Sequence, residues 1–427
     1  MKNVINKIKT ILSNRFINAI FFGAGGAVIS KGLFLLFNIV VARILKEKQY
    51  GMYSIINNTV QTFTVFAGAG LGVTLSRYVA LYREKNKRLA GISIKTLLVF
   101  NIILSLIISL VMFIFSDAIS DLLSKEVNIS FYLKITSFTL FFTSVALILQ
   151  SILQGFEKYK SVAIILTITN FITLVLGIFL SKYYSIIGTI ISLLILQLIL
   201  CILFSSIIHK ILKEKNIPLK FEMNTIMKDA IKNVALPAFL ASIFVVPVLW
   251  MTNFYFTKVN GYESFAAFSV CLQWFTILNY IPQQFGQVRP ILTQLYDDGD
   301  KAQLKKVIKK LIIISVLFSF VVALILMLGS GLLLKFYGKF YSSYRVAFIV
   351  ILVASIFFSI QSQCGSTFQA IGKVWISFFL NVLWALIFCL SFFCTINFGV
   401  FGYCLTYLIS YSIYGIVSCI ILYKYVK

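Results

Sequence analysis

The chain has 427 residues, of which 60% are hydrophobic and 12% charged, and its mean hydropathy is +0.97. A water-soluble protein of this length does not carry so much apolar surface, so the composition predicts a polytopic membrane protein. The formal net charge of +25 does not indicate nucleic acid as a partner. The basic residues lie between apolar segments, and no soluble domain is present to carry a groove-binding surface.

A membrane-spanning helix needs about 20 apolar residues, and the chain offers twelve such segments. In order they cover roughly residues 16–44, 52–81, 95–116, 130–153, 162–181, 185–208, 235–257, 264–288, 311–334, 344–370, 374–396 and 399–422. The second and tenth are long enough to be kinked or tilted. The basic residues 1–15 lead into an apolar run that is too long for a signal core, which predicts a cytoplasmic tail.

The basic residues between these segments predict the orientation of the chain. With the N-terminus inside, the inner segments hold 27 lysines and arginines and the outer loops hold 9, while Lys31 and Lys134 fall within spans. This bias predicts that both termini of the multi-pass chain lie in the cytoplasm. The longest inner connections, residues 209–233 and 293–310, are interpreted as amphipathic surface segments or as ordinary loop charge.

The two halves of the chain resemble each other. Gly72, Leu81 and Tyr82 recur as Gly286, Leu295 and Tyr296 at an offset of 214, as do Gly188 and Gly402, while Gln154 and Lys158 recur as Gln369 and Lys373 at 215. The predicted fold is therefore all-α, with twelve transmembrane helices in two six-helix lobes related by a parallel internal repeat. The lobes are residues 16–208 and 235–422, with a cytoplasmic connector at 209–234 and a cytoplasmic C-terminus at 423–427, around a cavity suited to alternating access.

Polar side chains at helical spacing predict which faces of the spans avoid lipid. Such stripes occur on the first, second, eighth and tenth spans. They consist of Ala24, Ala27, Lys31 and Asn38; of Asn57, Gln61, Thr64 and Gly68; of Gln273, Thr276, Tyr280, Gln284 and Gln287; and of Ser355, Ser359, Ser362, Ser366 and Gln369. For the small residues close helix packing is the competing interpretation. For the amides, packing and cavity lining are both retained.

Charge separates the candidates further. All 13 carboxylates fall in predicted loops or at span edges, so a site for cations has no mid-membrane candidate. Lys31 lies about 20 Å from either end of its span, too deep to reach water easily. It is predicted either to line a cavity that binds an anion, with phosphate as the best match for an ammonium, or to be capped by backbone carbonyls. Arg289, at an inner helix end, is a second candidate cation or a topology signal.

Four stretches carry a family resemblance: ARILKEKQYGMYSII at 42–56, GLGVTLSRYVALYREKNK at 70–87, LQGFEKYKSVAI at 153–164 and GQVRPILTQLYDDGD at 286–300. With the twelve spans, the chain resembles the polysaccharide repeat-unit flippases (Wzx-like, O-antigen and exopolysaccharide) of the multidrug/oligosaccharidyl-lipid/polysaccharide exporter superfamily. The resemblance implies an electropositive lumen. It also implies transport of an undecaprenyl-pyrophosphate-linked oligosaccharide from the cytoplasmic to the outer leaflet of the bacterial inner membrane, without a cofactor.

The predicted cavity residues are therefore Lys31, Asn38, Asn57, Gln61, Gln273, Gln284, Gln287 and Arg289, with no catalytic residue and no metal ligand. The expected partners are the lipid-linked glycan, membrane lipid, and a polysaccharide polymerase with its chain-length machinery. Two other functions stay open at this point. A cationic-compound exporter requires a buried carboxylate, and a membrane polysaccharide polymerase requires acid/base groups in a sizeable extracytoplasmic loop.

Overall fold

The computed structural model describes residues 14–68, 70–123, 128–242 and 245–426. Of the residues in these ranges 92% are helical, and none belongs to a strand. Residues 1–13 of the predicted tail and Lys427 lie outside them. The predicted all-α membrane fold is confirmed, because eight stretches of helix within the described part of the chain are long and apolar enough to cross a bilayer. The number of twelve spans stays a prediction.

The helices of the first half follow one another with short turns. They are α1 (Asn14–Gly68), α2 (Leu71–Tyr82), α3 (Lys87–Ile114), α4 (Ser116–Leu123), α5 (Ser130–Gly155) and α6 (Tyr159–Glu214). An extended stretch then leads to α7 (Thr225–Ala230), a π-helical turn (Ile231–Ala235) and α8 (Leu236–Ser242). The predicted second span is broken near Gly70, whose φ of 70° lies in the left-handed region that glycine tolerates.

The second half repeats this order. Its helices are α9 (Val245–Gln284), a 3-10 turn (Phe285–Val288), α10 (Arg289–Asp297), α11 (Lys301–Leu328), α12 (Ser330–Tyr337), α13 (Lys339–Ser342), α14 (Arg345–Ala370), α15 (Val374–Thr395), a 3-10 turn (Ile396–Phe398) and α16 (Gly399–Val426). Residues 303–310, interpreted from sequence as a surface segment, belong instead to α11. The helix continues because lysine side chains can extend to water from its first turns.

The element bounds support the internal repeat. α3 (87–114) and α11 (301–328) differ by 214 residues at both ends, as do α4 (116–123) and α12 (330–337). α5 (130–155) and α14 (345–370) differ by 215 at both ends. The interruptions of the long helices also correspond: Lys46 in α1 matches Gly261 in α9 at 215, and Ser185 in α6 matches Gly399 at 214, all with positive φ.

The chain forms two compact units that do not follow the halves strictly. The first consists of the residues up to Leu45 and of Ile56–Ser242, and the second of Lys46–Ile55 and the residues from 243 onward. In the first unit α5 packs on α2, α3 and α6, and the buried Asn101 amide donates to the Ser144 hydroxyl at 3.0 Å. The second unit packs α14 on α9, α11 and α16. The middle of α1 is therefore anchored in the unit formed by the second half.

Aromatic rings fill the core of the second unit. Tyr403 of α16 stacks on Phe268 of α9 with ring centroids 4.1 Å apart, and its hydroxyl donates to Asn253 Oδ1 at 2.6 Å. On α14 the buried Gln363 donates to the carbonyl of Pro282 at 2.8 Å. A proline inside a helix weakens the backbone ladder around it, so this side chain ties the proline-containing turn of α9 to α14.

Candidate functional site

Lys31 is positioned by the contact between α1 and α6. The neighbouring Ser30 is buried; it accepts a hydrogen bond from the Asn170 amide at 2.6 Å and donates to the Leu166 carbonyl at 3.4 Å. Successive helical residues are rotated by about 100°, so fixing Ser30 against α6 turns Lys31 to a different face of α1. The Lys31 side chain is half-buried there.

Asn38 lies two turns further along α1 in a packed environment. Its side chain is 4% exposed, and its amide donates to the Phe34 carbonyl one turn back at 2.8 Å. The equivalent residue of the second half, at an offset of 215, is Asn253, which is buried and accepts the Tyr403 hydroxyl. Both asparagine side chains thus have partners within their own units.

Asn57 and Gln61 lie together on the last part of α1. With Val65 and Gly68 they form a single helical stripe, in which Gln61 and Val65 are exposed and Asn57 and Gly68 are half-buried. A glutamine exposed on an apolar span is costly against lipid, so this stripe is suited to face water or a polar ligand. We refer to residues 57, 61, 65 and 68 as the first polar stripe.

The second half exposes the same stripe. At an offset of 215 the counterparts are Leu272, Thr276, Tyr280 and Gln283 on α9, where Thr276 and Gln283 are exposed. We refer to these four residues as the second polar stripe. Gln283 was missed by the sequence analysis. The repeat offset was the available signal, since it carries Gly68 onto Gln283.

Gln273 occupies a different environment from the second polar stripe. Its Nε2 donates to the Tyr50 hydroxyl at 2.6 Å, and its Oε1 accepts the Tyr337 hydroxyl at 3.2 Å. Both tyrosines are at most 1% exposed, and the ring of Tyr341 meets Tyr50 edge-on at 6.4 Å. The Gln273 amide therefore holds Tyr50 in the second unit. The tyrosines were also missed, although Tyr50 lies in the stretch KEKQYGMYSII.

The remaining predicted residues lie around the C-terminal end of α9. Gln284 is half-buried at its last residue, and Arg289 is exposed at the first residue of α10. The Gln287 side chain lies outside the described residues. Gln284 and Arg289 thus lie near the C-terminal end of α9. Gln273, which binds the two tyrosines, lies three turns earlier in the same helix.

Carboxylates in the described ranges lie at helix breaks, turns and helix ends. Three of them form close ion pairs in the first unit: Glu157 with Arg83 at 2.5 Å, and Asp117 with Lys134 and Glu84 with Lys215 at 2.9 Å each. The hydrogen bond from Lys215 holds the pKa of Glu84 below its ordinary value of 4.5, and that from Lys134 lowers the pKa of Asp117 below 3.8. Where side chains are described, no group of three His, Cys, Asp or Glu side chains is arranged to hold a metal ion.

The chain is similar to known proteins both in sequence family and in fold. The model of the polysaccharide biosynthesis protein family matches residues 17–246, more than half of the 427-residue chain. No curated protein gives a significant sequence match. An inward-facing multidrug-resistance MATE transporter of the MOP superfamily has a TM-score of 0.77 at 15% identity, covering 92% of this chain and 94% of the other.

Two further solved structures are similar over nearly their whole length. An outward-facing multidrug-resistance MATE transporter has a TM-score of 0.71 at 15% identity, with 96% and 95% of the two chains covered. A MOP-superfamily transporter from Pyrococcus furiosus, whose pocket is described as having reversed polarity, has a TM-score of 0.66 at 15% identity and the same coverage. The chain belongs to the polysaccharide biosynthesis protein family, and its helical membrane fold is that of the MOP-superfamily transporters.

Proposed function

We propose that the protein is a flippase that moves undecaprenyl-pyrophosphate-linked oligosaccharide repeat units from the cytoplasmic to the outer leaflet of the bacterial inner membrane by alternating access. The observation that carries the proposal is the pair of polar stripes, in which the equivalent positions Gln61 and Thr276 expose an amide and a hydroxyl, and Gln283 adds a further exposed amide in the second half. Amides and hydroxyls both donate and accept hydrogen bonds, as binding to sugar hydroxyls requires. The family match supports the same substrate class.

Lys31 supplies the charge that the proposed substrate needs. An ammonium within an apolar span offsets the negative charge of a diphosphate, and charge-assisted hydrogen bonds are about twice as strong as neutral ones. The membrane potential then assists export, because moving one negative charge out of a negative interior is favourable by about 2.3 kcal/mol per 100 mV. The polyprenyl chain would stay in lipid while the headgroup crosses.

Export of cationic compounds is the main alternative, since two of the similar structures are multidrug transporters. A cation site is most readily built from a carboxylate within a span. In the described spans the carboxylates nearest the centre of the chain's long helices, Glu47 and Glu263, lie beside the breaks at Lys46 and Gly261. The charge distribution therefore favours an anionic substrate.

The test is complementation of a bacterial strain whose own repeat-unit flippase is deleted. The wild-type chain should restore surface polysaccharide, and Lys31→Ala should abolish it while Lys31→Arg retains part of it. Lys134→Ala is the matched control, because this lysine pairs with Asp117 and should be dispensable for transport. Gln61→Leu should reduce polysaccharide export, whereas Val65→Leu on the same stripe should not.

The outcomes separate the functions. Normal surface polysaccharide with Lys31→Ala would remove Lys31 from the mechanism. In a strain from which the gene for this chain itself is deleted, lipid-linked repeat units that stay on the cytoplasmic side would support the flippase, and translocated single repeats without polymer would support a polymerase. Resistance to cationic dyes without any polysaccharide would favour the exporter. A functional flippase would hand its product to a polysaccharide polymerase and chain-length machinery, which we propose as partners.

A further inference from the structure

The first three turns of α11 carry a concentrated positive charge. Four exposed lysines, Lys305, Lys306, Lys309 and Lys310, follow the exposed Lys301 within ten residues. We call these four residues the α11 lysine band. Cations at the start of a helix oppose its dipole, so the band does not serve the stability of α11 itself.

In the first half, the connector packs over the equivalent positions of α3. At an offset of 214 the counterparts of Lys305 and Lys310 are Gly91 and Thr96 of α3. The backbone of Pro218 lies so close to Gly91 that an ideal Cβ there would be 1.9 Å from its carbonyl oxygen. The Thr96 hydroxyl donates to the Glu222 carbonyl and accepts from the Glu222 amide, both at 3.2 Å.

The cover on α3 is both apolar and acidic. Ile92, the counterpart of Lys306, packs with Met227 and Ala230 of α7. One turn earlier, Arg88 pairs with the Glu222 carboxylate at 3.5 Å. The connector thus places an apolar cluster and a carboxylate on this face of α3. On α11 the equivalent face is exposed, and none of the ion pairs formed among the described residues involves the lysine band.

The lysine band continues an exposed apolar face of α11, a helix long enough to cross a bilayer. Lys306 and Lys310 share one side of α11 with Ile313, Leu317 and Phe320, which are 52%, 60% and 51% exposed. Exposed apolar side chains on a span face acyl chains. Lys310 precedes Ile313 by about 4.5 Å along the helix axis, so the ammonium groups reach the level of the lipid headgroups.

An aromatic side chain marks the same level. The Lys305 ammonium lies 5.0 Å from the ring centroid of Tyr423 near the end of α16. Tyrosine is enriched where spans meet the headgroup region, and its ring holds a cation by a cation–π contact. The lysine at one edge of the band is therefore positioned, while the other three extend from the helix.

We propose that the α11 lysine band is a binding site for the phosphate groups of anionic phospholipid in the leaflet that it adjoins. The phospholipid covers the face of α11 that is equivalent to the connector-covered face of α3. Its phosphate takes the place that the Glu222 carboxylate has on α3. The site is independent of the proposed transport function, because it lies on the lipid-facing side of one helix and its readout is lipid binding.

The experiment measures lipid retention by the purified full-length protein with native mass spectrometry in detergent. The test variant carries Lys305→Gln, Lys306→Gln, Lys309→Gln and Lys310→Gln. The control variant removes the same charge from exposed lysines elsewhere, by Lys85→Gln, Lys87→Gln, Lys158→Gln and Lys232→Gln. Each lysine near an anionic surface is worth roughly fivefold in affinity, so the test variant should bind phosphatidylglycerol at least about tenfold more weakly.

Three results would follow from the proposal: the control variant keeps its affinity within about twofold, phosphatidylcholine binding is the same in all proteins, and added salt weakens phosphatidylglycerol binding. Equal phosphatidylglycerol binding by test and control variants would overturn it. Displacement of the lipid by inorganic diphosphate at equal concentration would also overturn it, because the site would then bind soluble or substrate phosphate. Should the fourfold variant unfold, the double variant Lys306→Gln, Lys310→Gln gives the same contrast.

Discussion

The packing of Lys46–Ile55 in the second unit depends on a missing side chain at Gly51. An ideal Cβ placed there would lie 1.8 Å from the carbonyl oxygen of Tyr262 and 2.5 Å from its carbonyl carbon. Carbon and oxygen atoms that touch in this way settle at about 3.3–3.6 Å. Gly51→Ala should therefore push the two backbones apart by roughly 1.5 Å.

The magnitude follows from what this displacement breaks. The neighbouring bond between Gln273 Nε2 and the Tyr50 hydroxyl is 2.6 Å long, and a shift of this size takes it beyond hydrogen-bonding distance. Overpacking costs about 1–3 kcal/mol and a lost buried hydrogen bond about 1 kcal/mol. Gly51→Ala should thus lower the free energy of unfolding by about 2–4 kcal/mol.

Thermal unfolding of the purified variants in one detergent, followed by tryptophan fluorescence, checks this prediction. The matched control is Gly32→Ala on the same helix, where a Cβ has no heavy atom within 4 Å. Alanine in an open helical position should stabilise by about 0.5–1 kcal/mol, so the two variants should shift the midpoint in opposite directions. Equal midpoints for both variants would refute the role of the Gly51 contact.

Three further predictions concern single side chains. Lys46→Gly should raise the free energy of unfolding and Gly261→Ala should lower it, each by about 1–2 kcal/mol, because both positions have positive φ. The thermal unfolding midpoints of the two variants should therefore shift in opposite directions. Asp117→Asn should lower the midpoint at neutral pH but not in acid. The pKa of Asp117 is depressed, so the stabilisation by Lys134 is present above its ordinary 3.8 and is lost as the pH falls through the lower folded value. Gln273→Leu should destabilise by about 1–3 kcal/mol, since two buried tyrosine hydroxyls lose their partner; a midpoint equal to wild type would contradict this.

The helical membrane fold was predictable because apolar length leaves few alternatives. In a bilayer each backbone group must find its partner within its own helix or in a closed barrel. The repeat was also predictable from residue matches such as Gly188 with Gly402. The breaks were harder to locate. Lys46 and Ser185 have positive φ without being glycine, so no residue type in the sequence marks those two turns.

The candidate site was only partly predictable from helical spacing. Spacing grouped Gln273 with Thr276 on one face, whereas the structure binds Gln273 to Tyr50, more than 200 residues away in sequence. Periodicity reports which side of a helix is polar, and it carries no information about which distant segment packs there. The contact of the predicted connector with α3 was missed for the same reason, because it depends on long-range packing at Thr96.

The repeat indicates where function should be sought. The helices of the two halves begin and end at residues that differ by 214 or 215. Where equivalent positions carry chemically different side chains, the common backbone fold therefore does not explain the difference. At an offset of 215, Lys31 corresponds to Val246, Tyr50 to Phe265 and Gln273 to Asn58. At this position a cation therefore occurs in the first half only, and the bond between the buried Tyr50 and Gln273 lies in the second unit, where the counterparts Phe265 and Asn58 do not reproduce the same pair of side chains. Because the second half forms the equivalent helix with Val246 in place of Lys31, we expect Lys31→Ala to reduce transport far more than stability. Tyr50→Phe should act first on the packing of Lys46–Ile55, where the Tyr50 hydroxyl binds Gln273.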